Sequence, residues 1–197
     1  LSYHVDSVVV PVRGRVCSSA QMPNLTESFG TSREFGESNL FKIYSNARLQ
    51  QSLKFEVNDF RSMLVKNNGN GRFELYALPI EAQFGPIYGT LINDFTGDGN
   101  LDVLCVGNNF SVEVETGNYD GLKGVLLAGN GLGGFTTVSS TVSSFHVPGD
   151  AKGLVQILNP GETGALIVVT RNDNTTLAFS TPLPNSTNVR FEPNVTH

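Results

Sequence analysis

The chain has 197 residues and is acidic, with 18 Asp and Glu against 13 Lys and Arg, a net charge of −5. No basic stripe is available to displace counterions from a phosphate backbone, which argues against nucleic acid as a partner. The same charge opposes attraction to an anionic membrane surface, and no run of about 18 apolar residues predicts a membrane-spanning segment. The 21 glycines, together with frequent Asn, Ser and Thr, predict many turns and short strands rather than long helices. The length suffices for a core without disulfide staples. Of the two cysteines, Cys105 lies in an apolar run and Cys17 in a polar stretch. A bridge between them stays open at this point, because two cysteines do not settle the compartment. Starting at Leu1 without an initiator Met or a leader, the chain reads as a piece of a longer protein.

In chain order, residues 1–52 read as an irregular N-terminal segment. One short strand fits Asp6 to Arg13, with Pro11 placing it at an edge. Residues 20–37 read as a long loop. Ser38 is a candidate N-cap, followed by Leu40, Phe41, Tyr44 and Ala47 at helical spacing, so one short helix is expected near residues 39–51. From residue 53 to 197 short β-type runs alternate with Gly, Asn and Asp turns. They are Met63–Val65, Phe73–Leu78, Ile87–Ile92, Leu101–Val106, Val112–Glu115, Gly124–Ala128, Phe135–Val138, Gly153–Leu158, Ala165–Val169 and Thr176–Phe179. Near-regular short strands predict an all-β sandwich, barrel or propeller.

An internal correspondence chooses among these. Asn67-Asn68-Gly69-Asn70-Gly71-Arg72-Phe73 aligns with Gly129-Asn130-Gly131-Leu132-Gly133-Gly134-Phe135 at an offset of 62 residues. Leu64 and Leu126 precede the two blocks, and the apolar run 101–106 answers 164–169. Two repeats, about 60–125 and 126–180, plus a C-terminal strand, are expected. Each reads as strand, Gly-rich hairpin, Phe-led strand, loop, strand, turn, strand, a sizeable propeller-blade unit against the usual 40–50 or so residues. Such a blade cannot bury both faces alone, so the chain is expected to be a partial propeller.

The segment Asp94-Phe95-Thr96-Gly97-Asp98-Gly99-Asn100-Leu101-Asp102 carries the clearest chemistry. Calcium takes six to eight oxygen ligands at about 2.3–2.6 Å. Asp94, Thr96, Asp98 and Asp102 stand at loop positions 1, 3, 5 and 9, Gly99 allows a sharp turn at position 6, and Asn100 offers a backbone carbonyl at position 7. The loop joins two apolar strands, so a bound ion would fasten them. Thr96 stands where an acid is expected, and a neutral hydroxyl is a poorer ligand, which predicts weak binding suited to millimolar extracellular calcium. The competing reading is a metal-free Asp-Gly turn. The counterpart Asn159–Gly164 keeps the turn without the acids, and no metal is expected there.

These residues resemble a known group. The pattern Asp-x-x-Gly-Asp-Gly-x-x-Asp before an apolar strand, with the Asn-Gly-x-Gly-x-Phe hairpins, is similar to the FG-GAP/VCBS repeats of integrin-α-like β-propellers. Phe84-Gly85-Pro86-Ile87-Tyr88-Gly89, Val106-Gly107-Asn108-Asn109, and Gly117 to Gly131 extend the resemblance, which is nearest to the C-terminal repeats of large secreted VCBS/ASPIC-UnbV-type bacterial proteins. The resemblance implies a seven-bladed propeller in the complete protein, calcium held by Asp94, Thr96, Asp98, the Asn100 carbonyl and Asp102, and a secreted or cell-surface location, outer-membrane-associated if bacterial. Residues 1–50 fall outside it.

No residue set makes a catalytic centre. His4, His146 and His197 lack metal-ligand spacing, no nucleophile elbow or reactive-Cys signature accompanies His146, and Gly129–Gly134 lacks a phosphate-loop ending. Five Asn-x-Ser/Thr sequons occur, at Asn24, Asn109, Asn174, Asn185 and Asn194; in a eukaryotic secreted protein they would be glycan sites, and otherwise they read as a by-product of an Asn- and Thr-rich surface. The expected function is a calcium-stabilised, non-catalytic module of a secreted or surface protein that binds an extracellular protein or glycan. The alternative is the propeller or accessory part of a polysaccharide-acting enzyme, for which His146 near Asp150 and Arg171, or a cleft of converging carboxylates, would be the sign.

Overall fold

The computed structural model of the chain describes residues 2–113, 117–158, 164–182 and 190–194. It is mostly β, with four small antiparallel sheets and a few short helices. Contacts divide the chain into two compact units, Leu1–Asn58 and Asp59–His197. No helix among the described residues is long and apolar enough to cross a membrane.

The first unit is more ordered than its sequence suggests. Strands β1 (Ser2–Val5) and β2 (Val8–Pro11) form a hairpin whose two turn residues, Asp6 and Ser7, both have positive φ. That is the turn whose twist matches paired strands. Helices α1 (Arg15–Gln21), α2 (Asn24–Ser28) and α3 (Ser32–Gly36) occupy the stretch expected to be a loop. The single helix expected over 39–51 is two, α4 (Leu40–Tyr44) and α5 (Asn46–Gln51), because Ser45 sits at φ 62° between them. The cap is Asn39, whose side chain accepts the Lys42 N–H at 2.8 Å, and Ser38 instead donates its hydroxyl to the Glu34 carbonyl. Leu25, Phe29, Phe35 and Ile43 bury together as this unit's core.

The second unit holds ten strands among its described residues. Hairpin β3 (Met63–Asn67) and β4 (Phe73–Ala77) stands as a two-stranded sheet. β5 (Ile87–Asn93), β6 (Asp102–Gly107), β7 (Val125–Gly129) and β8 (Phe135–Val138) form an antiparallel meander, and helix α6 (Ser140–Ser143) follows. A second meander holds β9 (Ala151–Leu158), β10 (Gly164–Arg171), β11 (Leu177–Pro182) and β12 (Glu192–Asn194). The two Gly-rich hairpins close alike. Asn68 N–H bonds the Arg72 carbonyl and Asn130 N–H the Gly134 carbonyl, with positive φ at Gly69, Gly71, Gly131 and Gly133.

The sheets run out of phase with the 62-residue correspondence. Strands β3 to β6 answer β7 to β10, yet the first meander is β5 to β8, the end of one sequence repeat joined to the start of the next. Leu104, Val106 and Leu126 of the first meander share one core with Ala151, Ile167, Val169 and Phe179 of the second, and Phe95, Phe145 and Phe191 fill it. The opposite face of β6 and β7 puts Cys105, Val125 and Leu127 against Ala82 and Leu122. Burial on both faces explains why residues 103–106 are continuously apolar rather than alternating. The expected strand over 112–115 and the turn over 159–163 extend beyond the described residues, as do the Asn185 sequon and His197.

Candidate cation loop between β5 and β6

The segment Asp94 to Leu101 connects two neighbouring antiparallel strands, paired up to Asn93 opposite Asp102. Gly97 and Gly99 have φ of 73° and 86°, and this left-handed backbone turns the chain back on itself at little cost only where a Cβ is absent. Around that turn the acids face inward. Asp94 Oδ1 accepts the N–H groups of Gly97 (2.7 Å) and Asp98 (3.2 Å), and its Oδ2 that of Gly99 (2.9 Å). Asp98 Oδ1 accepts the Asn100 N–H at 2.8 Å. That bond and the Asn100 side chain hold the Asp98 carboxyl below the ordinary carboxylate range. The Thr96 hydroxyl contributes least to this, and its oxygen is buried with no hydrogen bond of ordinary geometry.

Asp102 differs from the rest. It is fully buried at the start of β6. Its Oδ2 accepts the N–H groups of Phe95 and Thr96, both at 2.8 Å, and its Oδ1 that of Gly129 on β7 at 2.9 Å. One carboxylate therefore ties the loop to two strands. Burial of a charge is tolerated here because three donors replace its water.

The structure thus brings Asp94, Thr96, Asp98 and Asn100 into one turn and places Asp102 beneath it. Among the described residues no group of three His, Cys, Asp or Glu side chains is already gathered as a metal cage; the carboxylates are turned onto the loop's own N–H groups. The residues nonetheless fit a hard cation. Asp98 is exposed and Asp94 half-buried, and each carboxylate has lone pairs left after its N–H bonds. The Thr96 oxygen is buried, and its tie to Asp98 is the weakest of those on that carboxylate.

Of the residues that would have favoured an enzyme, Asp150 and Arg171 are engaged in structural bonds. His146 is exposed, while Asp150 is buried, its Oδ1 2.6 Å from the Lys152 ammonium and its Oδ2 3.3 Å from the Asn172 amide. Arg171 donates to the carbonyls of Pro148 and Thr175 and to the Thr175 hydroxyl. Asn172–Asn174 forms the turn expected of it. Cys105 is a buried thiol in β6 and Cys17 is outside any disulfide. Burial pushes the Cys105 thiol up to about 12.

Two features escaped the sequence reading. Asn108, buried at φ 90°, donates its amide to the carbonyls of Leu122 and Gly149 and accepts the Leu122 N–H, pinning the end of β6 to two loops. Lys152 reaches the Asn108 carbonyl at 3.0 Å and lies 3.9 Å over the Tyr88 ring. The only sequence signal was an Asn after a strand, which reads as a turn. Comparison of the chain with protein-family models, with curated proteins and with solved structures finds no match.

Proposed function

We propose that the chain is a calcium-stabilised, non-catalytic binding module of a secreted or cell-surface protein, built as part of a β-propeller of the FG-GAP/VCBS type. The observation that carries this reading is the loop itself. Asp94, Thr96 and Asp98 share one turn that Asp102 anchors to two strands. A cation in that turn would use Asp94, Thr96, Asp98 and the Asn100 carbonyl, with Asp102 as anchor and ligand together. It would supply charge neutralisation and a cross-link between β5 and β6, not an activated water.

The propeller part of the reading draws on the paired hairpins, the out-of-phase meanders and the apolar surfaces left at both ends of the stack. Blades that join the end of one sequence repeat to the start of the next interlock their neighbours. The β3–β4 hairpin then stands as the outer half of a preceding blade. A binding role follows from what loops on a rigid β scaffold do best. Its partner is an extracellular protein or a glycan. Probing the full chain on a glycan array and against extracellular-matrix proteins, in calcium and in EDTA, tests this. Calcium-sensitive capture of a glycan or a matrix protein is the expected result. Absence of binding to both sets contradicts the binding role.

A further inference from the structure

A cavity of about 360 Å³ opens in the second unit, away from the Asp94–Asp102 loop, between the 3-10 turn Ile80–Gln83, the 121–124 segment and the β8–α6 junction. That is the size of a small-ligand pocket. Its floor is core, including Leu126 and Phe145. Its polar groups come from three separate elements. Glu81 lies on the 3-10 turn, Thr137 on β8, and Ser140 opens α6.

The carboxylate is held in place rather than left to wander. Thr137 Oγ1 donates to Glu81 Oε2 at 2.7 Å, and this bond, with the Glu81 backbone N–H, keeps the carboxyl below the ordinary glutamate range. Glu81 is therefore an ionised acceptor at neutral pH. Phe84, three positions along from Glu81, lines the same cavity and is 54% exposed, so an aromatic side chain is available at its rim. The 121–124 segment packs tightly on the core beneath the cavity. Gly124 has φ 76°, and a Cβ there would press on the Phe145 ring.

Glu81 is the one acid lining the cavity and Lys123 the one base, so the lining selects no strong ionic charge. A fixed carboxylate together with an exposed ring and serine and threonine hydroxyls suits a ligand with many hydroxyls and an apolar C–H face. Two neighbouring ring hydroxyls can donate to one carboxylate while the C–H face of the same ring lies on the aromatic. We propose that this cavity binds a neutral saccharide residue, with Glu81 accepting two sugar hydroxyls, Phe84 stacking on the ring and Thr137 positioning Glu81. The proposal rests on the reading of the chain as a binding module, and it narrows that module's ligand to a glycan.

Saturation-transfer NMR on the full chain with a panel of methyl glycosides (glucoside, galactoside, mannoside, xyloside, fucoside and N-acetylglucosaminide) tests it, with titration calorimetry for any that respond. Transfer to at least one probe is expected. Phe84→Ala and Glu81→Gln should each weaken that probe about tenfold or more, while Thr137→Val should weaken it less and raise the Glu81 pKa measured by NMR. Because Phe84 is mostly exposed, its variant keeps the test valid if the Glu81 variant folds poorly. No transfer from any probe overturns the proposal. A glycan bound equally by wild type and both variants also overturns it, yet leaves the binding-module reading standing.

Discussion

Asp98 and Asp102 are the same residue type four positions apart, and the structure gives them different work. Asp102 is buried and accepts three backbone N–H groups, so its removal strands those donors. Asp102→Ala should cost roughly 3–5 kcal/mol of unfolding free energy, with or without calcium, by urea denaturation. Asp102→Asn should also destabilise, because its amide NH₂ would face an N–H donor. Asp98 is exposed, and Asp98→Ala in the absence of calcium should leave the urea midpoint close to that of wild type. The Asp98 carboxyl is held low by the Asn100 N–H and side chain. Its contribution is thus present at neutral pH and is lost as pH falls through its lowered pKa. Cys105 runs the other way. Its buried thiol, pushed up to about 12, favours folding fully below the ordinary thiol range and less as pH rises above it. At about pH 8 a thiol reagent should leave Cys105 unmodified in the folded protein and label it only after denaturation; rapid labelling without unfolding would contradict its burial.

The elements differ in how plainly their sequences announce them. The strands of the second unit were legible because their apolar runs are bounded by Gly, Asn and Asp at each turn, and the Asn-Gly-x-Gly hairpins enforce positive φ wherever they occur. The turn over Asp94–Asp102 was legible for the same reason, since the spacing of its acids and glycines is local. The helices α1 to α3 were not, because helices of five to seven residues are too short to show a 3.6-residue period. Ser45 broke the expected single helix through a positive φ that nothing in its side chain requires. Which strands share a sheet was likewise hidden, since pairing is long-range and the repeat suggested a different grouping. The Asp150–Lys152 pair belongs to this class. It sits where β9 packs against β5, with the carboxylate fully buried and the ammonium about one third exposed. Lys152→Met should destabilise by about 2–3 kcal/mol, at the low end for a buried pair because the lysine is partly solvated. The double variant Asp150→Asn/Lys152→Met should recover part of that loss in the same denaturation assay. A double variant weaker than the single one would show that the pair does more than balance charge.

At the scale of the second unit, the stack of sheets is open. On the outer face of the second meander Val155 and Ile157, half exposed, lie opposite Val168 and Leu166 on β10. On the β3–β4 hairpin Val65, Phe73 and Leu75 are more than half exposed. Apolar residues on sheet faces in this number make an association surface. Val155→Lys with Ile157→Lys should therefore lower self-association, read by light scattering, without lowering the melting temperature. In so open a stack, the proposed cation would fasten β5 to β6, the strand that carries both cores. Calorimetric titration of the full chain with calcium decides whether the ion binds at Asp94–Asp102. One site with a dissociation constant on the order of 10⁻⁴–10⁻³ M is expected, strengthened by Thr96→Asp and abolished by Asp98→Ala in a protein that remains folded. No heat of binding at millimolar calcium, or binding that Asp98→Ala leaves unchanged, would contradict the proposed site.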